Sequence, residues 1–100
     1  MDERRQHQRH RVTMAVAIKG HAVQVYAANM EDVSLGGARI ATSRPPPEGT
    51  TFDVIIMRDD GPPLCLHARV QRCSADSIGV AWVKPGEREL MFLLALMQSH

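Results

Sequence analysis

The stretch LCLHARV, residues 64–70, alternates apolar with other side chains along its whole length. In an extended chain the apolar residues would share one face, while Cys65, His67 and Arg69 would occupy the other. This period of two is typical of a strand that buries one face in a core. The sequence DDGPP at residues 59–63 comes directly before it and is a strong turn signal. We therefore predict a β-strand that begins at residue 64.

The same alternation recurs on both sides of this strand. It predicts further strands near residues 13–19, 23–27, 38–42, 52–57 and 78–82. The three consecutive prolines at residues 45–47 exclude that segment from the interior of a sheet. Residues 29–37 interrupt the pattern with polar residues and two glycines, so we interpret them as a connection between strands.

A single helix is predicted at the end of the sequence. Pro85 suits a first helical turn, and the acidic residues Glu87 and Glu89 suit the positive end of the helix dipole. Six short strands followed by one helix favour a mainly β fold, namely a six-stranded antiparallel β-barrel with a C-terminal α-helix. At 100 residues the chain is long enough for one domain. We expect an arm at 1–11, the barrel at 12–83 and the helix at 85–98.

The composition narrows the classes of function. The net charge of +1 gives no overall field, and the hydrophobic fraction of 44% is ordinary for a globular domain. No signal peptide is visible, and the apolar run Leu90–Met97 is far shorter than the ~20 residues that cross a bilayer. We expect a cytoplasmic protein without membrane insertion. Paired carboxylates, a phosphate loop and metal-ligand spacing of cysteine or histidine are absent from the sequence, so no enzyme, catalytic residue, cofactor or metal site is predicted.

Positive charge is concentrated near the N-terminus. Arg4, Arg5, Arg9 and Arg11 lie within the first eleven residues. Such a cluster attracts phosphates or acidic surfaces locally. Because this segment lacks an apolar period, we expect a mobile arm. The arginines alone do not distinguish a binding arm from a solvated basic tail.

A second candidate motif, D-x-S-x-x-G, is formed by Asp32, Ser34 and Gly37 within the stretch DVSLGGAR at residues 32–39. An ionised aspartate accepts hydrogen bonds only, so Asp32 could receive N–H groups of a ligand. Asp32 and Ser34 could equally close a turn of their own backbone. Gly37 would allow a positive φ or a close backbone approach, and Gly36 could be a simple turn residue.

The two motifs, in this order and on this strand pattern, resemble the PilZ family. Arg5 and Arg9 form R-x-x-x-R, and the strand GVAW at residues 79–82 is similar to the family's glycine-valine-x-aromatic strand. The resemblance covers essentially the whole chain. It implies a bacterial receptor for cyclic di-GMP, with arm arginines that clamp the ligand against the barrel. The implied ligand-binding residues are Arg4, Arg5, Arg9, Asp32, Ser34, Gly36 and Gly37.

The chemistry of these residues suits that ligand, which carries two phosphates and two guanines. An arginine fork donates two parallel hydrogen bonds to a phosphate or to O6 and N7 of guanine. By resemblance, a basic residue directly before R-x-x-x-R accompanies binding of two intercalated ligand molecules, and Arg4 occupies that position. Ligand binding would reorder the arm and signal to a downstream partner.

The predicted helix leaves almost no polar face between residues 90 and 97, although covering a barrel needs only one apolar stripe. A homodimer or partner contact is therefore expected there.

Two alternative functions stay open. One alternative is a protein-interaction adaptor on the same fold that does not use the nucleotide. The other is an oligonucleotide-binding barrel, which needs a basic groove with interleaved aromatics. Aromatic residues make up only 4% of the chain, so a nucleic acid polymer is not expected as a partner.

Overall fold

The structure, a computed structural model, describes residues 9–20, 25–59 and 61–98. Within these residues the chain forms six strands and one helix: β1 (His10–Lys19), β2 (Val25–Val33), β3 (Gly37–Ala41), β4 (Thr51–Ile56), β5 (Leu64–Cys73), β6 (Ser77–Trp82) and α1 (Glu87–Gln98). All neighbouring strands are antiparallel, and they close into a barrel in the order β1-β2-β3-β6-β5-β4. The predicted six-stranded barrel with a C-terminal helix is thereby confirmed.

The core of the barrel is built from the inward half of each alternating pattern. On β5 the predicted alternation is confirmed, because Leu66 and Ala68 are buried and His67 is exposed. Every strand and the helix contribute at least one of the largest fully buried side chains, which are Ile18, Met30, Val33, Ile40, Phe52, Val54, Ile56, Leu66, Ile78 and Leu93. In a closed barrel every strand has one face toward the interior, so each strand contributes side chains to the core.

The helix α1 packs against the barrel through Leu93 and Leu96, which are both buried in the common core. Its first residue is Glu87, two residues after the predicted start at residue 85. The carbonyl of Gly86 accepts a hydrogen bond from the N–H of Leu90 at 3.0 Å, so helical bonding starts there. Pro85 therefore precedes the helix and is not part of its first turn.

The strand β2 extends further than the sequence predicts. The polar residues from Asn29 onward were interpreted as a connection, but β2 continues to Val33. Asn29 and Glu31 face solvent, whereas Met30 and Val33 are fully buried. The predicted break is therefore wrong, because the polar residues form the outer face of a strand whose inner face is apolar.

The facing of β2 also differs from the predicted pattern. The sequence predicted a strand marked by Val23, Val25 and Ala27. In the structure Ala28 is buried, whereas Val25 is 56% exposed and Ala27 lies on the same outer side. Val23 lies outside the described residues. The inner face of β2 is set by its pairing with β1, where Ile18 faces Tyr26 and Val16 faces Ala28.

The first strand begins two residues before the predicted barrel. His10 pairs with Val33 and Arg11 pairs with Asp32, so both residues belong to β1 and not to a separate arm. Arg9 is the one residue before β1 that the structure describes. The predicted ligand residues Arg4 and Arg5 lie outside the described part of the chain.

Gly37 occupies the place where β3 closes onto β6. It pairs with Ala81, and a Cβ atom added at Gly37 would lie 1.9 Å from the backbone oxygen of Val80. Among the described glycines, Gly49 is the one with a positive φ. The requirement for glycine at position 37 is therefore the close approach of two strands and not an unusual backbone conformation.

The substitution Gly37→Ala is expected to lower the free energy of unfolding by at least about 2 kcal/mol, because the added methyl forces β3 and β6 apart. Gly79→Ala is the matched control, since a Cβ there meets only Cβ of Arg72, at 3.8 Å. It should change stability by less than about 1 kcal/mol. Urea denaturation followed by circular dichroism measures both variants. Equal losses in the two would contradict the steric explanation.

Candidate functional site

Asp32 lies near the end of β2, at a point where strand pairing is irregular on both sides. The β1–β2 register shifts between Arg11 and Met14, and the β2–β3 register shifts between Met30 and Asp32. Irregularities of this kind bend a strand and redirect its side chains. The side chain of Asp32 is 20% exposed, so it is partly desolvated but open to solvent on one side.

The carboxylate of Asp32 connects three segments of the chain. Its Oδ1 atom accepts a hydrogen bond from the backbone N–H of Arg39 on β3, at 3.2 Å. Nη1 of Arg9 donates to Oδ1 at 3.4 Å and to Oδ2 at 3.3 Å. Because exposed ion pairs contribute only about 0–1 kcal/mol, the Arg9 contact is weak and open to competition by another anion. The backbone contact from Arg39 holds the carboxylate in place independently of Arg9.

A groove of about 670 Å³ opens beside this ion pair, along the outer side of β1, β2 and β3. Arg11 and Arg39 supply guanidinium groups, and Asp32 and Glu31 supply carboxylates. Nε of Arg39 lies 3.3 Å from Oε1 of Glu31, and both side chains are more than half exposed. The groove can therefore offer hydrogen-bond donors to phosphates and acceptors to the N–H groups of a base.

Two of these groove residues were missed by the sequence analysis as site residues. Arg39 ends the stretch DVSLGGAR, and Arg11 stands two positions after Arg9. Arg11 pairs with Asp32 across β1 and β2, and no sequence pattern indicates that pairing. The pairing of Arg39 with Asp32 across β2 and β3 is known only from the register.

The loop between β2 and β3 is held from within by Ser34. Its Oγ accepts hydrogen bonds from the N–H of Gly36 at 3.1 Å and from the N–H of Gly37 at 3.2 Å. The backbone N–H of Ser34 donates to the carbonyl of Gly37 at 2.8 Å, and the residue is buried. Ser34 therefore shapes the turn that follows Asp32, as an ST-type motif does.

Trp82 fastens the same loop to β6. Its indole Nε1 donates to the carbonyl of Ser34 at 3.0 Å, and its backbone N–H donates to the carbonyl of Gly36, also at 3.0 Å. The ring is buried and belongs to the core of the barrel. The hydrogen bonds to the loop add a function that sequence alone did not indicate, since they depend on a residue 48 positions away.

The predicted site residues thus divide into three groups. Arg9 and Asp32 are in contact beside the groove. The Ser34 hydroxyl accepts hydrogen bonds from the N–H groups of Gly36 and Gly37, so these groups bond within the protein. Direct ligand contact by the three residues stays a prediction. Arg4 and Arg5 lie outside the described residues, and their role also stays a prediction.

The outer face of β4 and β5 carries a separate polar cluster. His67 Nδ1 and Asp53 Oδ1 form a hydrogen bond next to Cys65. Burial raises the pKa of the Cys65 thiol, and the Asp53 carboxylate adds to that rise. The thiolate form of Cys65 is therefore less favoured than that of an ordinary cysteine. Across the described ranges, no cluster of three or more His, Cys, Asp or Glu could hold a metal ion, and no helix is long and apolar enough to cross a membrane.

Comparisons with known proteins relate this arrangement to a known family. The family model described as PilZ domain matches residues 3–99 of the chain. A comparison with curated protein sequences gives no significant match.

Solved structures of low sequence identity share the fold. The PilZ domain of CeSA from a cellulose-synthesizing bacterium is 21% identical with a TM-score of 0.76, covering 92% of this chain and 96% of that chain. The PilZ domain of YcgR from Escherichia coli with c-di-GMP is 15% identical with a TM-score of 0.83, covering 97% and 91%. PlzA of Borreliella burgdorferi in complex with c-di-GMP is 14% identical with a TM-score of 0.75, covering 95% and 41%.

The substitution Ser34→Ala is expected to lower the free energy of unfolding by about 1–2 kcal/mol, because the partly buried N–H groups of Gly36 and Gly37 lose their acceptor. Ser43→Ala, on the exposed loop after β3, should change it by less than about 0.5 kcal/mol. Thermal unfolding of both variants tests this. A neutral Ser34→Ala would show that the loop does not depend on the hydroxyl.

Proposed function

This chain belongs to the PilZ domain family, and we propose that it is a receptor for cyclic di-GMP that binds the nucleotide in the groove beside Asp32. The observation that carries the proposal is the contact between Arg9 and Asp32. Arg9 ends the R-x-x-x-R motif and Asp32 begins D-x-S-x-x-G, so two motifs 23 residues apart meet at one groove. The c-di-GMP in similar PilZ structures, those of YcgR and PlzA, supports the same ligand for this chain.

The proposed binding site has two parts, the arginines near the N-terminus and the D-x-S-x-x-G residues of the barrel. Arg5 and Arg9 donate paired hydrogen bonds to a phosphate or to O6 and N7 of a guanine. Asp32, held by the N–H of Arg39, accepts from the Watson–Crick edge of a guanine. Ser34, Gly36 and Gly37 set the shape of the loop on which the ligand rests. Arg4 stacks on a guanine face and favours a second ligand molecule.

The proposed mechanism uses competition for Arg9. Cyclic di-GMP offers two phosphate anions that compete with the partly exposed Asp32 carboxylate for the guanidinium, so Arg9 leaves Asp32 and pairs with the ligand. This frees Asp32 for a guanine and draws the N-terminal residues over the groove. Ordering these residues costs free energy and limits affinity. The changed surface then signals to a downstream partner in the bacterial cytoplasm, and no catalytic step is proposed.

A second candidate function is a protein-interaction adaptor that does not use the nucleotide. The bonding of Ser34 and the steric position of Gly37 favour it, because the fold alone explains why both residues are present. In that case partner binding would not change with added cyclic di-GMP or with substitution of Arg9.

The double substitution Arg5→Ala/Arg9→Ala should weaken binding of cyclic di-GMP by at least about 100-fold, because two charge-assisted interactions of about 1.5–3 kcal/mol each are lost. The control is Arg69→Ala/Arg72→Ala, which removes the same charge from the exposed side of β5. Isothermal titration calorimetry compares the three proteins. Equal affinity in wild type and the arm variant would refute the receptor proposal.

Arg4 is expected to determine the number of ligand molecules. Calorimetry of the wild type should give about two cyclic di-GMP molecules per chain, and Arg4→Leu should reduce this toward one, because the stacking cation is replaced by an apolar side chain. Arg72→Leu serves as the control and should leave the stoichiometry unchanged. A single ligand in the wild type would contradict the role of Arg4 without affecting the site itself.

A further inference from the structure

A second groove, of about 560 Å³, lies between α1 and the strands β1 and β4. We call it the methionine groove. Its lining is mainly apolar, with two arginines, and consists of Met14, Ile56, Met57, Arg58, Arg88, Met91, Phe92, Ala95 and Leu96. It shares no lining residue with the groove beside Asp32.

Two methionine side chains of this groove are largely exposed. Met57 is 70% exposed and Met91 is 63% exposed, and Leu94 on the same helix is 44% exposed. Large apolar side chains that cluster in this way mark interaction surfaces, and methionine adapts its shape to varied apolar partners. The methionine groove is thus a place where burial against another molecule would be favourable.

The helix α1 has the spacing that such an interaction needs. Arg88, Met91, Phe92 and Ala95 line the groove, and their positions i, i+3, i+4 and i+7 lie on one helical face. Leu93 is buried in the core on another face. The apolar surplus predicted from the sequence of α1 therefore has a defined location beside the barrel.

The positive charge of the groove indicates which kind of partner segment it can bind. Nε of Arg58 donates to the carbonyl of Pro62 at 3.0 Å, and its guanidinium carbon lies 6.0 Å from the centre of the Phe92 ring. These contacts hold Arg58 over the apolar floor, and Arg88 supplies a second cation. The lining, as far as the described residues go, contains no carboxylate. The groove therefore complements a segment that carries apolar anchors beside acidic residues.

We propose that the methionine groove docks an acidic amphipathic helix of a partner protein. A helix laid into an apolar groove presents anchors at i, i+3, i+4 and i+7, and flanking carboxylates would pair with Arg58 and Arg88. A second copy of this chain fits less well, because a two-fold contact would bring this lining, with two arginines and no carboxylate among its described residues, against the same lining of the other copy. The inference depends on this surface alone and does not require nucleotide binding.

The first test uses a defined probe. A fluorescein-labelled helical peptide of about 14 residues, roughly four turns, carries leucines at i, i+3, i+4 and i+7 with flanking glutamates, and a matched peptide carries lysines instead. Fluorescence anisotropy should show micromolar binding of the acidic peptide and at least about tenfold weaker binding of the basic peptide. Equal binding of the two would overturn the proposal.

Matched substitutions locate the contact. Met91→Gln should weaken the acidic peptide at least about tenfold, whereas Val25→Gln, at a residue 56% exposed outside the groove, should not. Arg88→Glu should abolish the preference for the acidic peptide, because it leaves one cation and one carboxylate in the lining, whereas Arg72→Glu on β5 should leave the preference unchanged. Circular dichroism confirms that each variant is folded. If Arg88→Glu and Arg72→Glu act alike, the proposal fails.

The alternative occupant has its own readout. Sedimentation equilibrium of the wild type should show a monomer under conditions where the acidic peptide binds. A dimer that Met91→Gln dissociates would assign the groove to a second copy of the chain and overturn the proposal.

Discussion

The close approach of β3 to β6 at Gly37 is the constraint on which the rest of the structure depends. The oxygen of Val80 stands where a side chain at position 37 would begin, so the two strands meet without an intervening atom. This contact closes the barrel between its two halves. The hydrogen bonds from Trp82 to Ser34 and Gly36 then attach the loop before β3 to the same strand. The end of β2 is fixed as a result, and Asp32 with it.

The candidate site combines this rigid support with a weak ion pair. Asp32 is held by a backbone N–H from β3, but its contact with Arg9 is an exposed ion pair. Such a pair adds little to stability, and its geometry changes easily when another charge competes. A rigid acceptor next to a loosely held cation is a suitable arrangement for a ligand that brings both phosphates and N–H donors.

Most of the fold could be predicted because strands show the pattern of β5, which alternates without interruption from Leu64 to Val70. The extent of β2 could not, because the solvent face of its second half is polar and resembles a loop until β1 and β3 are known to pair with it. The candidate site was predictable at Asp32, whose motif is local in sequence. Arg11 and Arg39 were missed because they reach one groove only when the barrel brings β1, β2 and β3 together.

Ser34 and Gly37 also bear on how sequences of this kind are read. The Ser34 hydroxyl satisfies the turn, and the absence of a side chain at Gly37 lets β3 approach β6, so two of the three defined residues of D-x-S-x-x-G have a structural role. A related chain without a nucleotide ligand would still lose stability if either residue were replaced. The presence of the serine and the glycine therefore says little about whether a related chain binds the nucleotide. In the proposed function, the residues that distinguish a nucleotide receptor are the arginines and the aspartate.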